Sequence, residues 1–122
     1  SYAGIPLTHR DYAQSVRFLT GHLKEGSLDL DWPSLVREQE TLAFYMGLLG
    51  LDTICEKLME HGMDSQMPVA IIQQGTTATQ KAHTATLQTM PAVAKQEQPQ
   101  APTIIIVGKV VKLRQKLAWF QE

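Results

Sequence analysis

The chain reads as an α/β domain, α+β-like in its mixed pairing, with a sheet of about five strands packed with helices. Three observations carry that reading. Two continuous apolar runs of strand length, residues 68–73 and 103–107, fit strands covered on both faces. Ahead of them, Leu51, Ile54, Cys55, Leu58 and Met59 recur at the three-and-four spacing of an amphipathic helix. The patterns also alternate along the chain, in the order strand, helix, strand, helix, strand, strand, helix, strand, helix, as layered sheet-and-helix domains do.

Taken in order, residues 15–20 place Val16 and Phe18 on one face and Arg17 and Leu19 on the other, a strand pattern, and a polar connection follows over 21–31. Asp31 before Trp32-Pro33 predicts an N-cap with proline in the first turn, and so a short helix over 33–39. Residues 41–46 are β-branched, aromatic and apolar and stop at Gly47, which predicts the second strand. The amphipathic helix spans 49–61, with Asp52, Glu56, Lys57 and Glu60 on its polar face and Gly62 as its C-terminal stop. Beyond the run at 68–73, His83, Ala85 and Leu87 alternate with Thr84, Thr86 and Gln88, a further strand. A short helix near 91–95 and a glutamine- and proline-rich loop over 96–102 lead to the last strand. Residues 109–120 put Val110, Leu113, Leu117 and Phe120 on one side, with Lys112, Arg114 and Lys116 away from it, which predicts a closing amphipathic helix.

With 122 residues, 43% of them hydrophobic, the chain fits one globular domain that buries roughly 65% of its unfolded surface. Lysine and arginine total 11 against 12 acids, a net charge of -1. That balance supplies no field for nucleic acid or an anionic membrane, so neither is expected as a partner. A single cysteine, no apolar run near the roughly 18 residues a span needs, and no basic-then-apolar leader point to a reducing, cytoplasmic setting. The first sixteen residues start without methionine, and a Gly4-Ile5-Pro6 turn feeds almost directly into the first strand. They therefore read as the middle of a longer protein, whose preceding part is expected to complete the active site.

Several chemistry-bearing groups reduce to ordinary roles. His9-Arg10-Asp11 has the letters of a kinase catalytic loop, but Val16 stands where the asparagine is needed and no glycine-rich phosphate loop exists. His61, Met63 and Met67 are soft-metal letters without a repeat or a cysteine partner. A histidine suits the C-terminal end of a helix dipole, and methionines fill core gaps. Cys55 lies on the apolar stripe with no neighbouring base and reads as a buried structural thiol. No self-sufficient catalytic set is present. Two positions remain. Met46 ends a strand before Gly47, and Gly75 follows the apolar run 68–73 at the head of Thr76-Thr77-Ala78-Thr79. Ligands of α/β sheets collect beyond the carboxyl ends of strands, where glycine permits close approach, so both qualify as ligand-facing. From spacing alone, the readings as a core methionine and an ordinary turn glycine are favoured.

Five segments, Tyr-Ala-Gly-Ile-Pro-Leu-Thr-His-Arg-Asp-Tyr-Ala from Tyr2, Thr-Leu-Ala-Phe-Tyr-Met-Gly from Thr41, Gly-Thr-Thr from Gly75, Ile-Ile-Val-Gly from Ile105 and Val-Val-Lys-Leu-Arg-Gln-Lys-Leu-Ala-Trp-Phe from Val110, carry a resemblance. Together they resemble the C-terminal portion of the uroporphyrinogen-III C-methyltransferase family, the methylating module also found at the end of bifunctional siroheme synthases. The likeness covers nearly the whole chain, and the glutamine-rich loop departs most. It implies transfer of two methyl groups from S-adenosyl-L-methionine, which leaves S-adenosyl-L-homocysteine, to uroporphyrinogen III. The product is precorrin-2, for siroheme and in some organisms cobalamin.

In this family the cofactor lies in a cleft between two α/β domains. The resemblance makes residues 1–122 the C-terminal subdomain, with Met46 and Gly75 as wall positions of the cofactor pocket and the strand end near Thr103 as a further candidate. It implies no catalytic residue and no metal in this chain. The implied partners are an N-terminal domain, which brings the proton-handling and carboxylate-binding groups, and a second copy, since family members are generally homodimers. The chain alone is expected to be inactive. The competing expectation is an interaction or ligand-sensing module that keeps the fold without the chemistry.

Overall fold

The structure, a computed structural model, describes residues 5–8, 10, 13–20, 31–36, 40–45, 50–74, 80–99 and 103–113. Its frame is one five-stranded sheet of β1 (Ser15–Thr20), β2 (Glu40–Tyr45), β3 (Pro68–Gln73), β4 (Lys81–Thr86) and β5 (Thr103–Val107), in the order β1-β2-β5-β3-β4. β1 and β2 are parallel, whereas β5 runs antiparallel to both β2 and β3, and β4 is antiparallel to β3. The sheet is therefore mixed, as the sequence predicts. β2 and β3 point the same way on either side of β5.

Alternation along each strand sorts side chains to two faces. Leu42, Phe44, Val69, Ile71, Ile105 and Val107 face a helical layer of α1 (Trp32–Leu35), α2 (Leu51–Glu60) and α3 (Met90–Glu97). α2 inserts Leu51, Ile54, Cys55 and Leu58, the stripe its spacing predicts, and Met63 and Met67 fill the gap below it as core residues. Ala70, Ile72 and Ile106 face the other way, under Ile5, Ala13 and a 3-10 helix at Lys109–Leu113. Covered from both sides, β3 and β5 tolerate apolar residues at successive positions, which explains their unbroken runs.

Among the described residues, charge enters the interior at one place. Glu40 is only 9% exposed, and its carboxylate accepts a hydrogen bond from Ser15 Oγ at 3.0 Å and lies 3.3 Å from Arg17 Nε. Arg17 also donates to Ser34 Oγ at 3.1 Å, so one ion pair ties β1, β2 and α1 together.

The structure corrects three expectations. α1 is one turn, Trp32–Leu35, with residues 37–39 outside the described set. Asp31 does not cap it with its side chain; instead its carbonyl accepts both the Ser34 amide at 3.1 Å and the Ser34 hydroxyl at 2.8 Å. Residues 109–113 form a 3-10 rather than an α-helix, and 114–120 lie outside the described residues. Here the Val111 amide bonds the Gly108 carbonyl three residues back, the tighter pairing of a 3-10 turn. Gly108 has φ +154, and a Cβ there would stand 3.4 Å from Thr41 Cα, so glycine is what lets the chain leave β5 tightly against β2. The remaining differences are small: α2 covers Leu51–Glu60 within 49–61, and β4 begins two residues earlier than its alternation suggests.

Leu58 is fully buried at the centre of the helical layer. Leu58→Ala should lower the unfolding free energy by about 3 kcal/mol, whereas Glu56→Ala on the exposed face of the same helix should change it by less than about 0.5 kcal/mol. Urea denaturation of the two variants checks this.

Candidate functional site

Because β2 and β3 run the same way with β5 reversed between them, their carboxyl ends meet the amino end of β5 at one edge of the sheet. The register is explicit: Tyr45 and Ile72 both pair with Ile104, and Gln73 pairs with Thr103. Thr103, the further candidate from the resemblance, thus stands beside the end of β3 and one position beyond the Tyr45–Ile104 pair. Open α/β sheets take ligands at such an edge, where strand ends leave backbone groups without ladder partners.

The two principal candidates are neighbours in sequence of these ends. Met46 directly follows Tyr45 and Gly75 directly follows Gln74, and both lie outside the described residues. The strand ends that lead to them do converge. Gln74 itself has φ 50, the left-handed conformation a side chain seldom adopts, so the backbone turns sharply as it leaves β3.

Residues without any signal in the sequence complete this edge. β4 starts here, with Lys81 opposite Gln73, and Gln80 just before it is 1% exposed, an amide side chain brought into the interior. A depression of about 350 Å³ opens alongside, lined by Gln73, Lys81, His83, Glu97 and Gln98. Gln98, at φ 49, ends α3 in the left-handed conformation with its amide bonded to the Ala94 carbonyl. His83 reads in the sequence only as one tooth of a strand alternation, and nothing there joins it to Glu97; the α3–β4 packing does so. A larger hollow of about 540 Å³ lies at the other end of the β3–β4 pair, where Gln66, Pro68, Thr86 and Lys112 contribute to its wall. It lies at the opposite end of the β3–β4 pair from the converging strand ends and is no part of this edge.

The other chemistry-bearing residues keep structural roles. His61 caps α2, its amide donating to the Lys57 carbonyl at 3.1 Å while the Gly62 amide donates to the Met59 carbonyl at 3.1 Å, and its ring Nδ1 lies 2.9 Å from the Lys57 oxygen. Met63 and Met67 are buried in the core, and no three histidine, cysteine, aspartate or glutamate side chains group as a metal site among the described residues. Arg10 is exposed, while His9 and Asp11 lie outside the described residues. No helix among the described residues is long and apolar enough to cross a membrane.

A mixed five-stranded sheet with three helices on one face, whose strand ends converge at one edge, is of the α/β class, in which ligands collect beyond the carboxyl ends of strands. The chain belongs to the Tetrapyrrole (Corrin/Porphyrin) Methylases, whose sequence profile matches residues 1–91. It is 60% identical over 121 residues to a siroheme synthase of Pseudomonas fluorescens (strain Pf0-1), covering 99% of this chain and 26% of that protein. The chain thus spans about a quarter of the length of the curated relatives it matches. Among solved structures, uroporphyrin-III C-methyl transferase from Thermus thermophilus complexed with S-adenyl homocysteine superposes with a TM-score of 0.75 at 28% identity, over 91% of this chain and 49% of that one. A cobalt precorrin-4 methyltransferase shares the fold, with a TM-score of 0.77 at 17% identity over 89% of this chain and 46% of that one.

Cys55 is the one nucleophilic side chain buried near α2, and burial, reinforced by the Asp52 charge, pushes its thiol from 9.0 up to about 12. It is therefore a neutral thiol throughout the neutral range and no nucleophile. A thiol reagent at pH 8 should modify Cys55 only at the rate at which the protein opens, with full reaction in denaturant. Because the folded thiol holds its proton while the unfolded one loses it, stability should fall as pH rises from about 9 towards about 12. A Cys55→Ala variant should lack that alkaline component of the denaturation profile.

Proposed function

We propose that this chain is the second domain, residues 1–122, of an S-adenosyl-L-methionine-dependent methyltransferase that converts uroporphyrinogen III to precorrin-2, and that it supplies one wall of the cofactor and substrate cleft. The observation that carries the reading is the convergence of the carboxyl ends of β2 and β3 on either side of Thr103, directly before Met46 and Gly75. Family membership and the S-adenyl homocysteine complex of the Thermus thermophilus relative support it. The chain covers 49% of that relative, which leaves room there for the first domain that the reading requires as partner. The complete enzyme is taken to be a cytoplasmic homodimer, and this chain alone to be inactive.

The groups at the edge suit such a cofactor. A nucleoside with an amino-acid tail needs backbone partners for its base, partners for two ribose hydroxyls, and opposite charges for its carboxylate and ammonium. Free strand-end backbone, the Gln73 and Gln98 amides, the Lys81 ammonium and the Glu97 carboxylate are groups of those kinds. Met46 and Gly75 would hold the cofactor, Met46 by shaping the gap next to the tetrapyrrole and Gly75 by letting backbone approach the adenosine end. When bound, the cofactor would supply a methyl made electrophilic by its sulfonium, the sulfur keeping the electron pair and the methylated ring system giving up a proton to a base of the first domain. What the protein adds is alignment and exclusion of water, which is catalysis by proximity and orientation.

In the full polypeptide that carries this chain, Met46→Ala should lower turnover by about tenfold or more while shifting the denaturation midpoint little, since a small misplacement of reacting groups is costly. Steady-state kinetics beside urea denaturation tests this; parallel loss of rate and stability would mark Met46 as a packing residue and remove it from the wall. Gly75→Ala should weaken S-adenosylhomocysteine binding measured by calorimetric titration, and unchanged affinity would exclude close backbone approach at that position.

A further inference from the structure

The two large hydrophobic side chains left exposed among the described residues, Phe18 at 51% and Tyr45 at 46%, touch each other. Their ring centroids are 5.9 Å apart with planes inclined by 22°, a parallel-displaced pair that leaves part of each ring face open. Isolated exposed apolar residues are ordinary on protein surfaces. A pair of aromatic rings stacked nearly parallel by adjacent strands presents an exposed ring face with a fixed orientation.

Its placement in the sheet is equally specific. Phe18 pairs with Ala43 in the parallel β1–β2 ladder, and Tyr45 closes β2 two residues further on. Both side chains therefore lie on the sheet face opposite the helical layer. The cover on that face, Ile5, Ala13, Val110 and Val111, packs on β3 and β5. Tyr45 is also the last residue of β2, paired with Ile104, at the edge where the strand ends converge. The rings thus stand at the β2 end of the candidate edge, on the opposite sheet face from the Lys81–Glu97 depression, and the two are joined only across the strand ends.

We propose that the Phe18–Tyr45 pair is a substrate-side platform on which one pyrrole ring of the tetrapyrrole rests, with the Tyr45 hydroxyl available to donate to a carboxylate substituent. This rests on the proposed function. A pyrrole is flat, electron-rich and apolar on its faces, and a stacked aromatic contact holds it without fixing any hydrogen atom, as a reacting ring carbon requires. The polar cluster across the sheet would then serve the nucleoside and the aromatic pair the tetrapyrrole, so the two ligands would be told apart by chemistry as well as by shape. Both residues are specificity-determining contacts for the substrate and act on no proton or methyl group.

The test uses the full polypeptide that carries this chain, with uroporphyrin III as the fluorescent probe of the tetrapyrrole site and S-adenosylhomocysteine as the probe of the cofactor site. Phe18→Ala and Tyr45→Ala should each weaken uroporphyrin III binding by about tenfold, the worth of an aromatic contact, with S-adenosylhomocysteine affinity changed less than about twofold. Tyr45→Phe keeps the ring and should stay within about threefold of wild type. Unchanged uroporphyrin III affinity in both alanine variants, in a protein whose wild type binds both probes, overturns the platform and leaves the methyltransferase reading standing. Loss of S-adenosylhomocysteine binding in step with uroporphyrin III overturns it too, because the pair would then be shaping the whole cleft. A dimer-to-monomer shift of the alanine variants in analytical ultracentrifugation, with uroporphyrin III affinity retained, assigns the rings to the contact between copies instead. A wild type that binds neither probe removes the function and the platform together.

Discussion

β5 lies between β2 and β3 and runs against both, and most of the architecture follows from that placement. A strand inserted antiparallel between two others makes them parallel to each other, so their carboxyl ends arrive at the same edge. Were β5 absent or paired elsewhere, Tyr45 and Gln73 would have no common end of a sheet to share. The insertion is held by two ladders and by apolar contacts on both faces: Ile105 and Val107 face α2 and its neighbours, and Ile106 faces the 3-10 helix. With five residues and no polar side chain beyond Thr103, β5 leaves little freedom of register. A slip by one position would exchange its two faces and bring every isoleucine against the wrong partner.

The two covers of the sheet divide the labour. On one face three helices and the Met63–Met67 segment make a continuous core, and burying each large aliphatic side chain there contributes about 1.5–3 kcal/mol. Among the described residues, the cover on the other face lies over β3 and β5 and not over the ground above β1 and β2. The stacked Phe18 and Tyr45 stand on that ground. An exposed aromatic surface is tolerable where the opposite face already supplies the packing. The same division explains the Arg17–Glu40 pair: β1 is an edge strand with hydrogen-bonded partners on one side only, and the ion pair with Ser15 and Ser34 secures it to β2 and α1 from the helical side.

Elements defined by local physics were legible in the sequence, and those defined by remote partners were not. The runs in β3 and β5 are apolar because they are covered twice, and the stripe of α2 is periodic because one side faces solvent. In both cases the cause is written in the residues themselves. The order β1-β2-β5-β3-β4 was not legible, because β5 reaches its neighbours across nearly thirty intervening residues on one side and nearly sixty on the other, and no pattern in Thr103–Val107 names either partner. The 3-10 helix was misread because Val110 and Leu113 fit an α-helical stripe as well as they fit a tighter turn, and the bond from the Val111 amide to the Gly108 carbonyl decides between them only after folding. At the site, strand termination and glycine single out Met46 and Gly75 in the sequence, but the convergence of the strand ends before them and the placing of Gln80, Lys81, His83 and the Phe18–Tyr45 pair were not legible. Their common property is position at the end or face of a sheet whose order the sequence does not state.

The fate of the reactive groups says what kind of contribution this half of the fold makes. Cys55 is the only cysteine, and its burial raises the thiol far above neutrality. Glu40, the buried carboxylate among the described residues, is held by Arg17 and Ser15 at the end of β2 opposite Tyr45. The titratable residues that do stand at the converging edge, Lys81, His83 and Glu97, are surface groups suited to recognising charge. Each strongly buried polar or nucleophilic group is thus committed to the fold, and what remains at the edge is backbone, amides, charge and flat aromatic surface. Those are the means by which a protein orients two ligands against each other. A methyl already activated on sulfur asks for orientation more than for a protein nucleophile, so a wall with this inventory has the properties that the proposed reaction requires of it.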